Sequence, residues 1–241
     1  MFNLWVKVQI LCILLLTLDF WQLNQPAQAS EQIGAWVRSL VQEAYPELNA
    51  ESLTISTFSE PDSYFQSNFE PLSLLNAHPV YKIQYNPLIW QKQCPPEAIK
   101  GILAHELAHT LDYHQGKIPG LFLLLNQIRL YPGLRRYERR TDLQAIYRGY
   151  GQGLKRYRDW IYAQLSLEER IRKQEIYFTP TEITLIENAF KLAEKSNQRE
   201  ALFQYWYAQT PLNQSEIQAG LRHFKLEADL GIRADAHSPH N

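Results

Sequence analysis

The chain has 241 residues, with 24 Lys and Arg against 25 Asp and Glu, a net charge of −1, and two cysteines. A balance this close to neutral argues against a nucleic-acid partner, and two cysteines do not make a disulfide framework. The length suffices for one domain with a sizeable core, with or without a small helical appendage.

At the N-terminus, Lys7 precedes the apolar run Val8 to Leu18, and Ala27-Gln28-Ala29 is a small-x-small cleavage pattern. Residues 1–29 therefore read as a secretory signal peptide cut before Ser30, which predicts a secreted or periplasmic protein. The run is short for a bilayer span. The alternative is an uncleaved membrane anchor, because Phe20, Trp21 and Leu23 extend the hydrophobicity. Ile10, Leu11 and Ile13 around Cys12 are too bulky for a lipobox. If Cys12 leaves with the signal, Cys94 remains alone and no internal disulfide can form.

Glu31 to Ala44 is an amphipathic helix with Ile33, Trp36, Val37, Leu40 and Val41 on one side. Leu53 to Phe58 reads as a strand, and residues 59–78, mixed in Pro, Ser, Asn and aromatics, as an irregular loop. Val80 to Tyr85 alternates, with Tyr81, Ile83 and Tyr85 facing one way, and predicts a half-buried strand ending before Pro87. Pro95-Pro96-Glu97 starts the next helix, in which Ile99, Ile102, Leu103, Leu107, Ala108 and Leu111 recur at helical spacing. Glu106 is the only charged residue between Gly101 and Thr110, so this helix should be buried.

That helix carries His105-Glu106-Leu107-Ala108-His109. Residues i and i+4 share a helix face, so both imidazoles can reach one zinc ion, and Glu106 lies beside them. Zinc brings the pKa of a bound water down to about 7, and a neighbouring carboxylate can take the proton. The alternative is two core histidines bonded to backbone carbonyls. A third ligand is needed. His114 is one residue off the register of a metzincin third histidine, whereas Glu138 and Asp142 are again four apart. In a helix, Glu138 would ligate and Asp142 would accept the outer N–H of a ligand histidine and fix its tautomer. Taken alone, the same segment reads more readily as a solvated charged turn; beside HELAH the ligand reading prevails.

HELAH followed by an E-x-x-x-D helix resembles the gluzincin metallopeptidases, the thermolysin-like clan. The resemblance covers residues 80 to 150. It implies that His105, His109 and Glu138 are zinc ligands, Glu106 the general base and Asp142 the carboxylate that orients a histidine, with a peptide or protein as substrate. Thr141 departs from the pattern, standing where Ala or Ser is more usual, and no Asn-Ala-x-x-Trp-like strand is present. In such enzymes the strand ahead of the active-site helix is commonly the edge that pairs with substrate, which makes Val80 to Tyr85 the strand to examine. A Tyr or His supports the developing oxyanion; His114, Tyr147, Tyr150, Tyr157 and His223 are the candidates.

Between the two motifs, Gly116 to Pro132 is an apolar insert bounded by Gly and Pro: a core helix, a lid, or a patch leaning on membrane. Arg135, Arg136, Arg140, Lys155, Arg156 and Arg158, interleaved with tyrosines, form a basic stretch that either touches anionic lipid or an acidic substrate or is the solvated back of helices. Ser166 with Glu169 and Thr179 with Glu182 are capping boxes for helices near 167–176 and 180–196. Helices at Arg199 to Gln209 and Gln214 to Asp229 follow, and the tail from Ala234 should be disordered. The expected fold is α+β: a zincin-like domain over residues 30–160, its active-site helix packed on a short, mostly antiparallel sheet, then a helical region over 161–233 and the tail 234–241. The expected function is exported zinc-dependent peptide hydrolysis. The rival is a catalytically silent zincin-like binding module of the cell envelope.

Overall fold

The computed structural model describes residues 28–70, 73, 79–116 and 131–226, the side chains of 131 and 132 excepted. The signal segment ahead of residue 28, residues 117–130 of the apolar insert and the tail beyond 226 lie outside the described residues.

The architecture is α+β. Helix α1 (28–44) buries Ile33, Val37, Leu40 and Val41, the stripe expected from their spacing, while Trp36 is only half-buried. A single 3₁₀ turn leads into strand β1 (Leu53–Thr57). Strands β2 (Phe65–Phe69) and β3 (Tyr81–Tyr85) complete a three-stranded sheet of order β1-β3-β2.

Three expectations change here. First, residues 65–69 inside the expected loop form a strand. Its inward positions are Phe65 and Ser67, and the serine hid the apolar alternation; Ser67 is buried because its hydroxyl meets Thr110 Oγ1 at 2.8 Å. Second, the sheet is mixed rather than mostly antiparallel: β3 pairs parallel with β1 (Ile55 opposite Ile83) and antiparallel with β2 (Ser67 opposite Ile83). Third, β3 is the central strand. Its backbone groups are used on both sides, so it has no edge on which an extended peptide could pair. Its alternation is as read, with Tyr81, Ile83 and Tyr85 buried.

After the single turn α2 (Leu88–Gln91), helix α3 (Pro96–Gln115) starts with Pro96 in its first turn, where a missing N–H costs nothing. Every residue from Gly101 to Leu111 is buried. Such burial needs neighbours on all sides: the sheet, α4 (Tyr131–Ala145) and α5 (Gly151–Tyr162). α3 and α5 meet backbone to backbone. A Cβ on Gly101 would lie 2.1 Å from the Gly153 carbonyl carbon, and one on Gly153 would lie 2.6 Å from the Glu97 oxygen. Between α4 and α5 a π-helical turn, Ile146–Tyr150, contains Gly149 at φ 97°, a left-handed conformation that suits glycine.

Helices α6 (Leu167–Ile176) and α7 (Pro180–Lys195) start with the two expected capping boxes. Glu182 also pairs with buried Arg139 (3.1 Å), tying the start of α7 to α4. Helix α8 is Arg199–Gln209. The last helix, α9 (Gln214–His223), is shorter than expected: Lys225 turns left-handed at φ 58° and the Leu226 N–H bonds back to the Leu221 carbonyl (2.9 Å). That closure is usually made by glycine, so a lysine in the role leaves no stop signal in the sequence. Buried apolar side chains from Ile33 to Leu226 form one cluster.

The Gly101–Gly153 contact makes a direct test. Gly101→Ala should destabilise the protein by about 3 kcal/mol or more, since backbone has nowhere to go. Gly34→Ala in α1, where the nearest atom is the flexible Arg38 Nη1 at 3.3 Å, should be neutral or stabilising. Urea unfolding of both variants measures the difference.

Candidate metal centre

α3 places His105 and His109 one turn apart, with ring planes perpendicular and Nε2 atoms 3.1 Å from each other. α4 crosses so that Glu138 Oε2 lies 3.3 Å from both nitrogens. The three ligand atoms converge on one point, buried for the histidines and nearly so for Glu138.

Both rings are turned with these nitrogens inward by partners on their far sides. His105 Nδ1 lies 2.8 Å from Asp142 Oδ1, and a carboxylate there requires the proton on Nδ1. Behind His109, the Thr141 hydroxyl donates to the Tyr137 carbonyl (2.9 Å), so the oxygen facing His109 Nδ1 at 3.4 Å is an acceptor. Each ring thus directs an Nε2 lone pair at the same point. Thr141, the departure from the gluzincin pattern, provides for His109 what Asp142 provides for His105.

The two imidazole nitrogens and the carboxylate oxygen lie within 3.1–3.3 Å of one another. Glu138 Oε2 is buried without a well-formed hydrogen bond. A divalent cation with a preference for nitrogen and oxygen ligands fits this donor set. Among the described residues no other such group of three is found.

Asp142 is fully buried. Besides His105 it receives Arg158 Nη2 from α5 (2.8 Å) and the Phe178 backbone N–H from the α6–α7 connection (3.0 Å). Burial alone would raise its pKa; the Arg158 charge and the His105 bond outweigh that and lower it. Glu138 is likewise pushed up by burial and drawn down further by the two histidines. For His105 burial acts downward, but the bonds to Asp142 and Glu138 prevail and raise it to about 10. Glu106, buried beside the histidines, goes the other way: desolvation raises it, against attraction from His105 and His109 and a bond from the Ser67 backbone N–H of β2.

A small cleft of about 70 Å³ opens on His105 and Glu106, walled by Tyr64 and Phe65 on one side and by Tyr157, Arg158, Lys173 and Tyr177 on the other. Of the five oxyanion candidates read from the sequence only Tyr157 is here. His114 meets Tyr81 (3.3 Å), Tyr147 stacks on Phe203, Tyr150 reaches Glu43, and His223 stacks on Tyr205. Tyr177 was not read as a candidate. Its ring lies 6.0 Å from that of His105, and burial holds its phenol protonated well above the usual range. It lies far downstream and follows no motif, so only the capping box that starts α7 hinted that this connection was fixed in place.

Of the basic stretch, Arg140 pairs with Asp112 (3.6 Å), Lys155 with Asp159 (3.0 Å), Arg156 with Glu97 and Arg158 with Asp142, and Arg135 bonds the Glu175 carbonyl. Arg158 and Arg140 are thereby committed to carboxylates within the fold, whereas the Lys155 and Arg156 pairs lie at the surface. Among the described residues no helix is long and apolar enough to cross a membrane. A wider, open depression near Thr57 and Asn86 has no titratable side chain in its wall. No protein-family model matches the chain, and neither curated proteins nor solved structures give a significant match.

Protein stripped of any bound cation should expose the charge linkage of the site. In chelator-treated protein, His105 rises from the ordinary imidazole value of about 6.5 to about 10. A raised pKa contributes stability below the unfolded value and loses it as pH climbs through the folded one. Metal-free stability should therefore decline between about pH 6.5 and 10, and in His105→Gln the decline should shrink. Guanidinium melts across that range measure it.

Asp142 and Glu138 should separate by mutation. Asp142→Asn should weaken metal affinity about 10 to 100-fold while leaving a site that fills at high metal. Glu138→Gln removes a ligand atom and should lose metal far more readily. Calorimetric titration of both with Zn²⁺ would show the order; the reverse order would assign ligation to Asp142.

Proposed function

We propose that this chain is an exported zinc-dependent metallopeptidase of the gluzincin type. The observation that carries the reading is the convergence of His105 Nε2, His109 Nε2 and Glu138 Oε2 beside a buried Glu106 whose pKa is raised. Two histidines and one carboxylate leave a coordination position open, as catalytic zinc sites do and structural ones do not. Zinc, held by His105, His109 and Glu138, would supply the Lewis acid that acidifies water and polarises a peptide carbonyl.

The protein groups do the rest. Glu106 takes the proton from the attacking water and passes it to the leaving amine; a carboxyl raised by burial lies nearer neutral pH, where both transfers are efficient. The Ser67 N–H bond holds that carboxylate against β2. Asp142 and Thr141 keep the two imidazoles in register, so that the rings do not have to reorganise during the reaction. Tyr177 O–H, protonated throughout, is the donor for charge developing on the carbonyl oxygen. Since β3 is central, the edge for an extended peptide is β2, whose Phe65 walls the cleft together with Tyr64.

The test is made on purified mature protein. It should carry about one zinc per chain and cleave peptides from an unbiased library. Glu106→Gln should keep the zinc and lose at least about a hundredfold in kcat/KM. The His105→Ala/His109→Ala double variant should lose both zinc and activity. Full zinc loading with no cleavage of any library peptide would favour the silent binding module, and stoichiometric zinc in the double variant would remove the ligand assignment.

A further inference from the structure

The cleft wall opposite β2 holds two cations against one aromatic ring. Arg158 Cζ lies 4.3 Å and Lys173 Nζ 5.8 Å from the Tyr177 ring centroid. Their circumstances differ. Arg158 is neutralised by Asp142 at 2.8 Å, although its buried Nε has no hydrogen-bond partner among the described residues. Lys173, half-buried on α6, has neither a hydrogen bond nor an ion pair there.

Three acidic groups act on Lys173 without forming an ion pair with it: Glu138, Asp62 and Glu169. Glu138 is engaged by the histidines, and Glu169 closes the capping box with Ser166. Asp62, on the opposite wall, is exposed and makes no ion pair with it. Desolvation, then the neighbouring Arg158 charge, lowers the Lys173 pKa, against weaker attraction from Glu138, Asp62 and Glu169. A partly buried cation that forms no ion pair among the described residues is complementary to an anion brought by a ligand.

The distance fits a peptide. Tyr177 is 6.0 Å from the His105 ring and 5.8 Å from Lys173 Nζ, so the ammonium lies no farther than three to four residues of extended chain, at about 3.4 Å each, from the proposed zinc ligand. We infer that this wall is a carboxylate subsite: Lys173, with Arg158 beside it, selects peptides that carry a carboxylate, either a free C-terminus or an acidic side chain, within about three to four residues of the bond to be cut. This rests on the peptidase reading and adds a substrate class to it. An amide or an uncharged side chain would leave Lys173 desolvated and unpaired.

The experiment uses zinc-loaded full-length protein and one cleavable core peptide in three forms: free C-terminal acid, C-terminal amide, and amide with a glutamate two residues from the scissile bond. Wild type should prefer one or both carboxylate forms over the plain amide by at least about tenfold in kcat/KM, the scale of a hydrogen bond to a charged group. Preference for the short free acid assigns the C-terminus as the source, and preference for the glutamate amide assigns the side chain. Lys173→Met should reduce the acid-to-amide ratio toward one, Lys173→Arg should retain most of it, and Lys173→Glu should invert it toward peptides with lysine at that position.

A parallel arm reads fluorescence anisotropy of the same labelled peptides on Glu106→Gln protein, where no turnover is needed. A binding preference for carboxylate that disappears in the Glu106→Gln/Lys173→Met double variant supports the subsite even if wild type cleaves nothing, in which case the peptidase reading fails alone. Cleavage with equal kcat/KM for all three peptides, or a preference that survives both Lys173→Met and Lys173→Glu, overturns the subsite and leaves the peptidase reading standing. Absence of both binding preference and cleavage overturns both.

Discussion

Asp142 is the constraint on which the rest of the molecule turns. Its buried carboxylate accepts from His105 on α3, Arg158 on α5 and the Phe178 N–H ahead of α7, while its own backbone belongs to α4. Four separate segments are thereby fixed by one side chain. Burying a carboxylate this completely is costly unless each lone pair is used, and here the cation and the two other donors use them. The same contacts that stabilise the anion orient the imidazole and bring the α6–α7 connection, with Tyr177, to the mouth of the cleft. A change at Asp142 therefore disturbs architecture and site together.

The second organising fact is that α3 is buried on every face. An amphipathic helix can carry a functional group on its wet side; α3 has no wet side over the HELAH segment. Its polar groups had to be matched by other elements: Glu106 by the β2 backbone, Thr110 by Ser67, His105 by Asp142, His109 by Thr141. The approach of Gly101 to Gly153 lets α5 come close enough for Arg158 to reach Asp142. Small residues away from the histidine cluster thus set the distance on which the Asp142 contacts depend.

Electrostatically, the buried carboxylates Glu138 and Asp142 alternate with His105 and Arg158. Each member stabilises its neighbours, so the charge of Arg158 is largely used up inside. Lys173 stands at the end of this series, over the Tyr177 ring but with no ion pair among the described residues, which is why it, and not the more deeply buried arginine, is proposed to set substrate preference.

Much of this was legible in the sequence where a signal is local. The i, i+4 spacing of His105 and His109, and again of Glu138 and Asp142, is a property of helix geometry, and the structure brings three of these side chains to one point with the fourth behind. Capping boxes at Ser166 and Thr179 are satisfied within four residues and needed no tertiary context. What packing alone decided lacked such signals. β2 was missed because its inward Ser67 is buried by a hydroxyl pairing with α3. β3 looked like an edge because alternation reports which face is buried, not which neighbours bond the backbone. Arg158, Lys173 and Tyr177 reach the site across the fold. The sequence determined which residues share a helix face, because that is fixed by the pitch of one helix; the tertiary structure decided which faces meet, because that depends on how all the helices and the sheet fill one core.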